Sequence, residues 1–230
     1  MSLLRWAFVC LLIGLCASAR ADQVEVTPGV TVTRKTYPVP LNEAPFFNFA
    51  RRTAELNKSD EDFILEISRH EPDRAKAAQY AIARGWQALK SERDPATAAK
   101  RFNQAFLLDP QQSGVYHGLA AVVESRFRDF DFSDELFRIA TRMNSPAPTL
   151  SADHGRMLLI AGRSAEAKPL LERGVGDNPD WAVPQSNLAL ALLQTGDAAD
   201  ACRVAAMVKG RDLDSVRSDL ALLRRRANCP

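Results

Sequence analysis

From Asp73 to Asn228 apolar residues recur three and four positions apart, and this helical period is interrupted only by short polar, Gly or Pro breaks. The breaks fall at Asp94-Pro95, Asp109-Pro110, Asp129–Asp131, Ser145–Pro148, Gly162, Gly176–Pro179, Gly196 and Gly210. Residues 22–49 carry no such period. Val24-Glu25-Val26 and Val30-Thr31-Val32-Thr33 alternate apolar and polar, which allows short extended stretches, while Pro38, Pro40 and Pro45 exclude regular helix. The segment reads as an extended arm, because two strands alone are not stable in water. Between the arm and the periodic region the pattern predicts a helix over 59–70. Ser59 can accept from the amide of Asp62, and Asp60, Glu61 and Asp62 put negative charge on the first turn. Phe63, Ile64 and Ile67 give it an apolar face, and His70-Glu71-Pro72 ends it and opens the next helix, with Pro72 in its first turn.

The breaks are regular. Small or apolar triplets recur as Ala98/Phe102/Ala105, Ser133/Phe137/Ala140, Ala167/Leu171/Gly174 and Ala201/Ala205/Val208, with first members 35, 34 and 34 residues apart. Gly85, Ala121, Gly155 and Ala189 form a second series, spaced by 36, 34 and 34. Gly162 and Gly196 mark equivalent turns, and Asp109-Pro110, Ser145-Pro146 and Asn178-Pro179 close three units. Over residues 79–213 the chain resembles the tetratricopeptide repeat (TPR) family, whose 34-residue unit is a pair of antiparallel helices. No unit has the large aromatic followed by Leu-Gly that the family favours early in its first helix, and Ala205 stands where Phe or Leu is usual. Helices in such a stack approach to about 8–10 Å, so small residues are needed where they cross. Phe102, Phe137, Leu158, Leu171 and Leu192 would fill the space between units, and both ends need caps.

The first residues change the picture of where the protein works. Arg5 is followed by an apolar run from Trp6 to Cys16 and then Ala17-Ser18-Ala19-Arg20-Ala21, the pattern of a secretory signal peptide. The run is shorter than the ~20 residues a span needs. Cleavage is expected after Ala21, with Ala19 as the runner-up and an uncleaved anchor as the alternative. Leu15 before Cys16 and Val9 before Cys10 do not make a lipobox. Losing Arg5 and Arg20 leaves 28 basic against 28 acidic side chains, which argues against nucleic acid as a partner. Arg224-Arg225-Arg226, with Arg217 nearby, is a local basic excess, read as the solvated end of a terminal helix or as an anionic-surface contact. Cys202 and Cys229 remain, and two thiols in an oxidising compartment suggest one disulfide. A turn near residue 211 would set Cys202 closer to Ala221, so the tail must fold back to pair.

Chemistry is sparse. There is no G-x-S-x-G, H-E-x-x-H, Walker loop or G-x-G-x-x-G. His117 and His154 fall in the first helices of neighbouring units, where a shared metal site competes with ordinary packing; Glu124 and Asp153 are the one acid/base candidate. Asn57-Lys58-Ser59 fits a glycosylation sequon but is also a plain loop and helix start. The resemblance implies a different use of the surface. First helices of the family line a concave face that in many members holds a peptide or partner segment. On this chain that face should include Ile82, Trp86, Leu89, Val122, Arg156, Leu159, Asn187 and Leu190, with Val115, Ser186 and Leu193 beside them. Arg156 could hold a carboxylate there.

The expected fold is thus an all-α superhelix, a TPR-like solenoid of about four helix pairs. Its expected parts are a signal peptide over 1–21, an extended arm over 22–58, capping helices over 59–78, repeats over 79–213 and a capping helix over 214–230. The expected function is that of an exported, periplasmic adaptor or scaffold holding a protein or peptide segment, without a cofactor and not an enzyme. The alternative is a small periplasmic enzyme or metal-binding protein on a helical scaffold. The aromatic load of Tyr37 and Phe46-Phe47-Asn48-Phe49 should be buried, either along the first-helix face near Trp86 or on a partner.

Overall fold

The computed structural model describes residues 22–209 and 213–229; the expected signal peptide lies outside them. Ten α-helices are described: α1 (Ala54–His70), α2 (Arg74–Lys90), α3 (Pro95–Leu108), α4 (Ser113–Val122), α5 (Phe130–Arg142), α6 (Leu150–Ile160), α7 (Ser164–Asp177), α8 (Ala182–Gln194), α9 (Ala198–Met207) and α10 (Asp214–Ala227). Helices α2/α3, α4/α5, α6/α7 and α8/α9 pack as successive pairs, and α10 covers α8 and α9. No described helix is long and apolar enough to cross a membrane.

Close approach explains the small residues. A Cβ on Gly85 would stand 2.6 Å from the Phe102 ring, one on Gly118 2.1 Å from the same ring, one on Gly155 2.7 Å from Leu171, and one on Gly174 2.8 Å from Ala152. Phe102 and Leu171 are fully buried, so neither ring nor branch can swing away. Ala98, Ser133, Ala167 and Ala201 are likewise buried on the second helices. One position of the expected series is displaced. Ala121 is only half-buried, and Gly118, one turn earlier, closes on Phe102 of the preceding pair rather than on its own second helix. After Val122, α4 runs into a π-type turn, Val123–Phe127, that ends at Arg128 with φ +56°.

The breaks at Asp94 and Asp129 are helix starts, the carboxylates accepting from amides of the first turn, and Asp73 caps α2 in the same way. The expected cap fails at α1. Thr53, not Ser59, caps it, its hydroxyl accepting from the Leu56 amide at 3.2 Å. The acidic run is mid-helix instead, where Lys58 pairs with Asp62 one turn on. Pro72 precedes the α2 cap rather than lying in its first turn.

The arm is not simply extended. Strands β1 (Gln23–Thr27) and β2 (Val30–Thr33) form an antiparallel hairpin around Gly29, whose φ is +79°. Val30 and Val32 are buried on one face, and β2 rests on α5. A short 3-10 turn, Leu41–Glu43, follows. From Phe46 to Phe49 four consecutive residues then have φ between +51° and +56°. A left-handed helical turn of L-residues costs about 1–2 kcal/mol per residue. Two features hold it: the Asn48 side chain accepts from the Tyr37 amide at 2.9 Å and donates to the Tyr37 carbonyl at 2.8 Å, and the Phe46 ring is buried against Phe106 and Tyr116.

Candidate functional site

Side chains of the first helices make a continuous row. Trp86 of α2 meets Phe102 edge-on, with centroids 5.5 Å apart, and meets the His117 ring of α4 at 4.7 Å. The Lys90 ammonium lies 4.5 Å from the Trp86 ring centre, a cation–π contact that tethers a charged tip over an apolar body. His117 is buried, and its Nε2 stands 3.0 Å from Asp153 of α6, which Lys90 also approaches at 3.9 Å. Burial alone would raise the Asp153 carboxyl, but His117 and Lys90 more than offset it and hold it below the usual range. The second histidine repeats the arrangement one unit on. His154 stacks on Phe137 at 4.8 Å, and its Nε2 lies 2.7 Å from Asp134, which also accepts from Arg138 and binds Arg163. Each histidine is therefore tied to its own aspartate, and the two do not converge on a shared site. Among the described residues no group of three or more His, Cys, Asp or Glu is arranged to hold a metal.

Further along, Arg156 of α6 is exposed and is flanked electrostatically by Glu124, Asp153 and, from the capping helix, Asp219. Burial raises the Glu124 and Asp219 carboxyls, opposed by Arg156 and, at Asp219, by the Ser186 hydroxyl donating at 2.7 Å. Arg156 thus already has carboxylate neighbours from three parts of the chain, with which any bound carboxylate would compete.

The expected binding residues divide. Ile82, Trp86, Leu89 and Leu159 are half-buried and keep part of their surface open beside exposed Arg156. Val122 is wholly buried at the start of the π-type turn and can touch no partner. Asn187 and Leu190, at 6% and 8% exposure, are also withdrawn, because α10 packs on α8. Asn187 Nδ2 is left buried without an acceptor. Cys202 and Cys229 are joined as a disulfide, with Cα atoms 5.0 Å apart; the left-handed residue Asn228 turns the tail back as the pairing requires.

The arm docks on its own chain, but not near Trp86. It lies on the opposite, second-helix side. Asn103 of α3 donates to the carbonyls of Asn42 and Ala44. Glu43 binds Lys100 at 3.0 Å and Arg126 at 2.8 Å. Tyr37 stacks on Phe127 of the π-type turn at 3.8 Å, its hydroxyl donating to Asp129. The Thr33 amide donates to Glu135 of α5. Of the three phenylalanines, Phe46 is buried while Phe47 and Phe49 are only partly so. Between β1, the left-handed turn and α3 this leaves an open cavity of about 490 Å³, lined in part by Val24, Val26, Phe47, Phe49, Phe106 and Arg51.

No protein-family model and no curated protein matches the sequence. Solved structures do match in three dimensions. The pilF protein of Pseudomonas aeruginosa superposes with a TM-score of 0.58 at 23% identity, over 67% of this chain and 71% of that one. YrrB, described as a TPR protein with an unusual peptide-binding site, gives 0.50 at 16%, over 70% and 82%. TTC0263, a TPR protein of Thermus thermophilus, gives 0.51 at 17%, over 74% and 92%. The fold is that of tetratricopeptide repeat proteins. On this TPR stack the first-helix row and the arm cavity lie on opposite sides. The sequence drew attention to the first side and not to the second. The one available signal was the cluster of aromatics around Pro45, which gives no hint of a left-handed turn.

Proposed function

We propose that this chain is an exported scaffold that holds a segment of another protein along its first-helix face, within the cell envelope. The observation that carries the reading is the half-open apolar strip of Ile82, Trp86, Leu89 and Leu159 ending at the Glu124–Arg156–Asp219 patch. A strip of this kind accepts apolar side chains, and the burial-raised carboxyls at its end favour a cation such as a Lys or Arg of the bound segment. The TPR fold supports it, as does the peptide-binding site for which YrrB is described. Export rests on Trp6–Cys16 and Ala19/Ala21, and a Cys202–Cys229 disulfide is the form two cysteines take in an oxidising compartment.

Crosslinking pull-down from the envelope tests the reading. Wild-type chain should capture a partner that Trp86→Ala and Glu124→Gln lose while circular dichroism shows both variants still folded at the assay temperature. Capture unaffected by either change rejects the first-helix face. Intact-mass measurement of the exported protein should give a chain beginning at Asp22; the full-length mass would indicate a retained anchor.

A further inference from the structure

We propose that the cavity on the second-helix side is a second, separate docking site, which takes an extended polypeptide segment of a partner by strand addition to β1, with an apolar side chain in the cavity and an acidic one at Arg51. This goes beyond the reading above, since it uses other residues on another face.

The register of the hairpin shows what the site wants. Gln23 faces Thr33 and Glu25 faces Thr31. The Thr33 amide points away from β1, donating instead to Glu135, while the Arg34 amide, one residue on, donates to the Asp22 carbonyl. In an antiparallel ladder such pairs alternate. The backbone N–H and C=O of Gln23 and Glu25 therefore face the outer edge of β1, where they have no strand neighbour among the described residues. Val24, Glu25 and Val26 of that strand all line the cavity. A bare row of strand donors and acceptors is matched by another extended backbone, with alternate side chains directed to one face.

The cavity beneath that edge supplies the second requirement. Its floor is aromatic because the left-handed turn buries Phe46 fully while Phe47 and Phe49 keep part of their surface open to the cavity. Backbone held in a sparsely populated region across four residues is the kind of strain that persists where a binding surface needs it. Charge supplies the third. Arg34 pairs with Asp22, and Arg52 with Asp60. Exposed Arg51, on the cavity wall, has no ion-pair partner among the described residues. Glu25, also on the wall, has its carboxylate turned to the hairpin, where it accepts from the Gly29 amide; Arg51 is the wall cation left without a carboxylate, and the residue of the segment that complements it is Asp or Glu.

The experiment pans a phage-displayed library of random octapeptides against the full-length chain and measures binding of the selected peptides by fluorescence anisotropy. The expected sequences alternate apolar and other residues and carry an acid. Glu25→Pro removes an outward N–H together with the carboxylate that accepts from the Gly29 amide, whereas Glu25→Ala removes the carboxylate alone; Glu25→Pro should weaken binding at least tenfold and Glu25→Ala should not, and Arg51→Glu, fully on the surface, should weaken it several-fold. Peptides N-methylated at alternate residues should lose binding in one phase and keep it in the other. Arg156→Glu should have no effect, which separates this site from the first-helix face. The proposal is overturned if panning yields no peptide, if the selected peptides ignore Glu25→Pro and Arg51→Glu, or if both N-methylation phases bind like the parent. Self-association that Glu25→Pro abolishes would also overturn it, by making a second copy of the chain the occupant of the edge.

Discussion

At one end of this stack a non-helical segment is fastened by side chains; at the other a helix is fastened by a covalent bond. The N-terminal arm reaches α3, the π-type turn and α5 through Asn103, Arg126, Asp129 and Glu135, partners 59 to 102 residues away in sequence. The C-terminal helix α10 follows directly on the helices it covers, buries Val216, Leu220 and Leu223, and is locked by a bridge across 27 residues. The arm can form only after two units exist to receive it, because its docking groups come from both. The C-terminal cap needs only the last pair. A stack capped in these two ways should be vulnerable to different insults at its two ends.

The largest expected effect breaks the N-terminal end. Phe102 fills the space against Gly85 and Gly118 and is fully buried. Phe102→Ala should cost about 3–5 kcal/mol, and thermal unfolding should show a fall of roughly 2–4 °C for each of those kcal/mol. Hydrogen exchange should rise in α2, α3 and the arm before α8–α10. Uniform exchange along the chain would mean that the ends are not energetically distinct.

Redox conditions should act on the other end. Closing a loop of 27 residues is worth about 3–4 kcal/mol in the chain-entropy model. A reductant should lower the melting temperature of the wild type and leave that of Cys202→Ser, already lowered, unchanged. Exchange should rise in α10 and not in the arm.

A smaller effect isolates the polar fastening of the arm. Asn103 is buried and donates to two arm carbonyls, of which that of Ala44 is at 2.8 Å. Asn103→Ala should cost about 1–3 kcal/mol, because the Ala44 carbonyl then stays buried without a donor. Deleting residues 22–50 should lower the melting temperature as well. If the deletion left stability unchanged, the arm would be a passenger rather than a cap.

This comparison also explains what could be read in advance. The repeat was legible because crossings that admit only the smallest residues recur at a fixed period, as at Gly85 and Gly155, where even a Cβ would clash. The disulfide was legible because only two cysteines follow the signal-like segment. The start of α1 was misread because Asp60–Asp62 imitate a first turn while Thr53 caps the helix. The arm's site on the second-helix side was hidden for a physical reason: phenylalanine has no preference for φ > 0, so Phe46–Phe49 carry no local mark of their turn, and only contacts from distant residues select it. On the first-helix face, Val122 was misplaced because an apolar residue at a helical position reads the same whether it faces the core or the surface, and here it is wholly buried.

The smallest effect falls between the two ends and should distinguish neither. Asp134 of α5 meets His154 of α6, Arg163 before α7, and Arg138. Burial raises its carboxyl, but bonds from Arg138, His154 and Arg163 outweigh this and hold it at about 2. Its folded value is below its unfolded one, so the stabilisation is complete above the unfolded value of about 4 and is lost as pH falls toward 2. Its size is about 1–2 kcal/mol once the solvent exposure of Arg138 is allowed for. His154 acts in the same direction at higher pH. Burial lowers its affinity for a proton, first among its influences, against the pull of Asp134, so acidification below about 6.5 favours the unfolded chain, which takes the proton more readily. Glu124 and Asp219, raised by burial, oppose this, because the folded chain takes their protons first. The difference between wild type and Asp134→Asn carries the aspartate together with its support of the His154 imidazolium. It should grow as pH falls below about 6.5, because the variant loses that support, and then shrink toward zero by about pH 2, with exchange rising at the α5–α6 junction and not at either end. A difference that persists undiminished at pH 2 would mean that Asp134 acts through its shape and hydrogen-bond geometry, not through its charge.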